Sequence, residues 1–516
     1  MFQKVRKKIV QLRENNKILQ TIERFLQSRW FIVALTVFIC ATQTLGLDMV
    51  GFIGLALAFV YICIFSDNIN PIVPIVCLAI YCVSTQNSPW AEASGEAIKS
   101  ESGSTIYVNP APLYYSTFFS VLLCIGIPLL LCSAVFRVVA FGECKKSLNK
   151  NSVFIGMVLL CLSFLLSGAF SNSWTWTDLL WSVIQTATFL GIYIFFTSCV
   201  DTETFTLDYI ANVMLAGLAC MIWSVFIIAV QHMPTVGGLT SAWKGIMVFG
   251  WGEQNAVGAY IAMVLPACFY KMYTAKKHAW VWSVVLLLGI LAEILTLCRA
   301  GLVATAVVVA AGLIVGIIYK KTRRYTLWVI GTYATIALVA MVVIWISGQA
   351  ETLLEYFFKK ASSETLDQLS SGRLTIWKRF IEHFWEDPIF GGGFLVDWEH
   401  WEHTVAVKSS GIFGFYSVLA HNLLFQTLGG SGVFGLVALA AHLYSVGRRT
   451  ERNHSYLRTF LTLALVGFLI VCMLDNVFYM AQFTFMYLAI IVAIEADCKR
   501  IEKEKKDDEG KPDATV

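Results

Sequence analysis

Trp30-Phe31-Ile32-Val33-Ala34-Leu35-Thr36-Val37-Phe38-Ile39-Cys40-Ala41-Thr42-Gln43-Thr44-Leu45-Gly46-Leu47 decides the fold class. The run carries no charge, and as a helix it spans about 27 Å, close to the thickness of a bilayer core. No small-residue cleavage site closes it, so it reads as a span and not as a removable signal. Before it, Phe2, Val5, Ile9 and Leu12 fall at helical spacing, flanked by Lys4, Arg6, Lys7, Lys8 and Arg13. Leu19, Ile22 and Leu26 repeat the spacing. Residues 1–29 therefore read as a basic amphipathic segment on the cytosolic leaflet.

Similar apolar runs recur to Ala496. The 516 residues are 57% hydrophobic and only 14% charged, with a mean hydropathy of +0.69. Soluble chains carry roughly 25% charged residues. The expected fold is all-α, a polytopic integral membrane helical bundle of about 12–14 spans. Fourteen runs centre near 30–47, 50–66, 70–84, 113–136, 153–170, 178–199, 209–230, 255–272, 279–297, 300–319, 325–347, 424–446, 459–475 and 477–495. The third and eighth are short, and Pro71 and Pro74 mark the third as broken or tilted.

Counting spans from a basic, cytosolic N-terminus places Lys145, Lys146, Lys150, Lys271, Lys276, Lys277, Lys320, Lys321, Arg323, Arg324, Arg448, Arg449 and Arg452 in loops on the cytosolic side. That is the bias the positive-inside rule requires. The expected division is a bundle over 30–347, an extracytoplasmic loop subdomain of short interfacial helices over 348–423, further spans over 424–495 and a charged cytosolic tail over 496–516. The 14 cysteines lie in spans or cytosolic segments without CxxC spacing, so they read as small buried hydrophobes. No nucleotide-binding glycine loop is present, which argues against ATP-driven work, and nothing points to nucleic acid.

The long outer loop holds Ser371-Gly372-Arg373-Leu374-Thr375-Ile376-Trp377. Trp377, Phe380, Ile381, Phe384 and Trp385 form an apolar stripe at helical spacing, ended by Asp387-Pro388 and followed by Gly391-Gly392-Gly393. Arg373 is one turn before Trp377 on the same face, near the headgroup plane. Its bland reading is a snorkelling or ion-paired side chain. Arg299, in Leu295-Thr296-Leu297-Cys298-Arg299-Ala300-Gly301, is an ionisable residue between two spans, a functional candidate set against a helix-ending arginine. Arginine's planar fork suits a diphosphate. His421 opens a span in Ala420-His421-Asn422. Histidine, with an ordinary pKa of about 6.5, accepts a proton near neutral pH, and Asn422 is placed to hold an acceptor hydroxyl. A helix-end histidine bonded to backbone is the bland alternative. Glu399-His400-Trp401-Glu402-His403 is a weak metal candidate, and no metal site is expected. Glu293 is expected to pack against a polar neighbour.

Four stretches in order carry a resemblance. They are Phe249-Gly250-Trp251-Gly252-Glu253-Gln254-Asn255-Ala256, the Arg299 stretch, Ser371-Gly372-Arg373 with Asp387 to Gly393, and Ala420-His421-Asn422 with Gly429 to Gly435. Together, over roughly residues 245–445, they resemble the bacterial O-antigen ligase and O-antigen polymerase family. Where that family usually reads Thr-x-Ser-Arg-Gly, this chain has Cys298 and Ala300 around a retained Arg299, and the span count exceeds the family's usual ten to twelve. The resemblance implies a glycosyltransferase that moves a glycan from a polyprenyl-diphosphate carrier to a glycan or lipid acceptor, outside the cytoplasmic membrane. It implies no cofactor or metal. It implies catalytic roles for His421, Arg373 and Arg299, and substrate contacts from Ser371, Gly372, Trp377, Asn422 and Asn255. The rival of another class is a lipid-linked glycan flippase or polysaccharide transporter. A cell-shape-type peptidoglycan polymerase and a non-catalytic scaffold are the remaining alternatives.

Overall fold

The computed structural model describes residues 2–82, 97–99, 105–107, 125–141, 152–171, 176–236, 243, 247–249, 252–275, 277–346, 348, 373–393, 420–452, 455–475 and 477–509. Among them, nine helices are long and apolar enough to cross a bilayer, and ten if one bent pair counts as a single span. Three shorter apolar helices accompany them. The fold is an all-α membrane bundle, with two short antiparallel ladders: β1 (Ala97–Lys99) with β2 (Thr105–Tyr107), and β3 (Val248–Phe249) with β4 (Gly252–Glu253).

α1 (Phe2–Asn15) and α2 (Lys17–Leu26) form the amphipathic start. α2 meets α3 (Arg29–Leu45) at 80°, the angle of a surface helix turning into a span. Ile18, Ile22 and Phe25 face outward on it. α4 (Asp48–Phe65) follows, then α5 (Ile72–Leu78), prolonged by a 3-10 turn to Cys82. Pro71 and Pro74 shape this short helix, which reaches only about 16 Å with its extension. α6 (Ile127–Phe141), α7 (Ser152–Phe170) and α8 (Trp176–Thr186) come next. A π-turn over Ala187–Gly191 carries α8 into α9 (Ile192–Cys199).

The second half begins with α10 (Leu207–Val236). α11 (Gln254–Val264) and α12 (Pro266–Thr274) form one bent span, 89% buried, at the centre of the bundle. Pro266 at the first position of α12 lets the chain restart a helix without losing a bond. α13 (Ala279–Thr296), α14 (Arg299–Ile318) and α15 (Lys320–Ile346) lead outward. Only 6% of α15 is buried, and its Trp328, Val339 and Trp345 face outward. α16 (Arg373–Glu386), α17 (Leu423–Glu451), α18 (Thr459–Leu474) and α19 (Ala481–Glu509) complete the chain.

Buried cations mark one end of the bundle. At one end Lys271 binds Asp208 at 2.6 Å, Arg458 is fully buried against Asp497, and Arg449 and Arg452 share Glu502. Arg13 pairs with Asp67 there, and Arg137 donates to the carbonyls of Ser66 and Asp67. A buried charge persists only when paired and hydrogen-bonded, and these are. The other end carries Arg299, Arg373 and His421.

Candidate functional site

Three candidate side chains converge on three consecutive residues at the C-terminus of α18. Asn422 Nδ2 donates to the Met473 carbonyl at 2.8 Å. Arg373 Nη1 donates to the Leu474 carbonyl. His421 Nδ1 lies 2.8 Å from Asp475 Oδ1. The last carbonyls of a helix have no intrahelical partner, and a cation is favoured there by the helix dipole. α18 thus gathers residues that lie far apart in sequence.

The segment before α17 is built for this meeting. His421 takes a left-handed backbone, φ +49°, which costs a non-glycine residue energy but which histidine tolerates better than most. Asn422 is the N-cap of α17, its Oδ1 accepting from the N–H groups of Leu424 (2.8 Å) and Phe425 (3.2 Å). The Ala420 N–H donates to Gln426 Oε1 at 2.8 Å, and the Ala420 carbonyl accepts from Trp377 Nε1 at 2.8 Å. Trp377 also stacks on Phe425, ring centroids 4.9 Å apart. The amide of Asn422 and the indole N–H of Trp377, expected on substrate, are thus engaged with backbone.

α16 does not simply rest on a membrane surface. Its apolar stripe is divided: Phe380 is fully buried against Gly429 of α17, while Trp385 points outward. Beyond α16, the turn Asp387–Gly393 inserts into α17, which breaks at Gly432 (φ +62°, ψ −161°). The Val433 and Phe434 N–H groups, released by the break, donate to the carbonyls of Pro388 (2.9 Å) and Ile389 (3.3 Å). The Gly392 N–H donates to the Gly429 carbonyl at 2.8 Å. A Cβ on Gly391 would lie 2.5 Å from the carbonyl carbon of Gly430. Only glycine permits this approach, so the two glycine-rich stretches form one joint.

Arg299 stands at the same end of the bundle. α14 and α18 run antiparallel, with Val308 against Gly467 and Gly312 and Val315 sharing a cleft with Thr459, Phe460 and Leu463. From the Val308–Gly467 contact, Arg299 lies about 13 Å along one helix and Asp475 about 12 Å along the other, in the same direction. Arg299 is exposed at the first position of α14, without a partner among the described residues. Cys298 supplies the N-cap, its Sγ accepting from the Gly301 N–H at 3.2 Å, as a serine oxygen would. Asn255, at the start of α11, has its carbonyl 4.0 Å from that sulfur. An arginine at a helix N-terminus is a favourable place for an anion.

Glu293 is buried in α13, against Gly258 and Gly301. Neither of its oxygens finds a hydrogen bond among the described residues. Ser371, Gly372 and the Glu399 to His403 cluster lie outside the described residues. Asp475 was not singled out by sequence reasoning, although it is the only charge between Arg458 and Glu495. An ionisable residue amid apolar runs is the signal that marks it.

Residues 282–440 match the model of the family described as O-antigen ligase, the family the sequence resembles. The matched segment holds Arg299, Arg373 and His421 but not Asn255 or Asp475. No curated protein matches the chain.

Proposed function

We propose that this chain is a membrane glycosyltransferase of the O-antigen ligase and polymerase type. It takes a glycan from a polyprenyl-diphosphate carrier and joins it to an acceptor hydroxyl of a glycan or lipid. The site faces the outer side of the bacterial cytoplasmic membrane, and both termini are cytosolic. The observation that carries this reading is the meeting of Arg373 and the His421–Asp475 pair at the end of the bundle that also bears Arg299.

The chemistry needs only groups placed at that end. As the acceptor oxygen bonds to the anomeric carbon, the bond from that carbon to the diphosphate breaks and negative charge grows on the leaving group. Arg299 and Arg373 stabilise that charge, an effect usually worth a few kcal/mol for each donor. Arg373 exchanges its carbonyl partner for a phosphate oxygen when the donor arrives. His421 takes the acceptor's proton on Nε2 while Nδ1–H donates to Asp475, which fixes the tautomer and stabilises the imidazolium. General-base assistance typically contributes about 10²–10⁴-fold. The donor already carries its leaving group, so no nucleotide sugar is required.

Deleting the gene and analysing lipid-linked glycans by size and membrane side tests this reading. Single repeat units accumulating outside mean a polymerase, and long chains stranded on the carrier mean a ligase. Carrier-linked units trapped inside would overturn the transferase and favour a flippase.

A further inference from the structure

The break in α17 leaves an exact count of backbone groups to satisfy, and one partner comes from an unexpected place. In an unbroken helix the carbonyls of Gly429 and Gly430 would accept from Val433 and Phe434. Those two N–H groups instead go to Pro388 and Ile389, and Gly429 receives the Gly392 N–H. The remaining carbonyl, Gly430, accepts from Ser167 Oγ of α7, across 263 residues of chain. A buried carbonyl left without a donor is costly, so this hydroxyl stabilises the kink.

A second group, from α8, lies against the turn. Asp178, in the first turn of α8 and 3% exposed, lies directly against Gly393. A Cβ on Gly393, φ +104°, would be 3.3 Å from the Asp178 carboxyl and from Ser171 Oγ. Phe170 packs on Phe390, with centroids 5.8 Å apart. Ser167 and Asp178 lie outside the segment that matches the family model.

We infer that Ser167 and Asp178 are positioning residues for glycan transfer, a conclusion that rests on the transferase reading above. They act through α16. The turn they contact fixes where α16 ends its run along α17, with Phe380 on Gly429 and Trp377 on Phe425 as successive contacts. At the far end of that helix, about 20 Å away, is Arg373. A loosened seat lets α16 slide, and Arg373 then misses the position beside His421. An error of about 1 Å in such a group costs up to about 10²-fold in rate.

The test uses the full chain purified in detergent, with Ser167→Ala, Ser167→Thr and Asp178→Asn. Hydrogen exchange is read over residues 373–393, and transfer is measured with the carrier-linked glycan that accumulates in a deletion strain. Ser167→Ala and Asp178→Asn are expected to speed exchange in the turn and lower kcat about tenfold, with KM for the donor changed by less than about twofold. Ser167→Thr, which keeps the hydroxyl, restores both. Should Ser167→Ala not fold, the isosteric Asp178→Asn carries the same expectation. Faster exchange with unchanged kcat would overturn the inference, as would unchanged exchange in the turn. No transfer by the unaltered chain would instead sink the transferase reading, and the exchange result, which needs no substrate, tells the two failures apart.

Discussion

His421 and Asp475 face each other at 2.8 Å across 54 residues of chain, the imidazole half-exposed and the carboxylate buried. A carboxylate on Nδ1 leaves Nε2 free to meet a substrate. The pair also has a structural consequence. It ties the start of α17 to the end of α18, so that the left-handed residue at 421 is held by the side chain it presents.

Removing the charge of Asp475 is therefore expected to act through His421. Asp475→Asn should lower transfer by about 10²-fold or more, as His421→Ala should, with the protein still folded. The double variant should be hardly worse than either single one, because residues that act as a unit lose activity together. Rates measured for the full cycle decide it. Losses that multiply would show that Asp475 works independently of His421.

The helical runs were legible in the sequence because burial in lipid demands long apolar stretches, and that pattern is local. Arg373, His421 and Asn422 stood out because polar residues at the edges of such stretches are costly. What they bind was not legible. Met473 and Leu474 offer only backbone carbonyls, which leave no trace in side-chain pattern. Asp475 did leave one, a single charge at the end of the apolar run over 459–475. The seat of the glycine turn was hidden for another reason. Ser167 meets Gly430 only because α17 breaks at Gly432, and the break depends on the turn that fills it.

Cys298 offers a test of local geometry. Its sulfur caps α14 through the Gly301 N–H, so Cys298→Ser should keep stability within about 0.5 kcal/mol. Cys298→Ala should lose about 1 kcal/mol and misalign Arg299. Thermal unfolding in detergent reads the first effect and transfer rate the second. Equal stability of the serine and alanine variants would remove the cap from the account.

Arg299 itself should not tolerate lysine. An ammonium keeps the charge but cannot present two parallel donors to a diphosphate. Arg299→Lys is expected to lower transfer at least about tenfold, and Arg299→Ala about 10²-fold. Binding of undecaprenyl diphosphate in mixed micelles should weaken in both. A fully active lysine variant would mean that only net charge matters at this position.

Two glycines, at the joint and near the far end of α17, should respond in opposite ways. Gly391→Ala places a methyl 2.5 Å from the Gly430 backbone at φ +75°, and a loss of more than about 2 kcal/mol is expected. Gly447, inside α17, has nothing within 4 Å of its absent Cβ. Gly447→Ala should therefore stabilise the helix by about 0.5–1 kcal/mol. Unfolding temperatures compared under one condition would show whether the joint, and not glycine content, sets stability.

Asn422→Asp separates capping from cross-bracing. The aspartate keeps an oxygen for the N–H groups of Leu424 and Phe425, so the start of α17 should stay capped. It loses the donor to Met473 and sets a carboxylate against that carbonyl, an unmade bond worth about 1–3 kcal/mol. Leu474 and Asp475 follow Met473 directly, so the partners of Arg373 and His421 should shift with it and transfer should fall. Hydrogen exchange would then rise over residues 471–475 and stay low over 424–428. Lost transfer with both segments equally protected would mean that the Asn422 amide leaves Met473 to hold the acceptor itself.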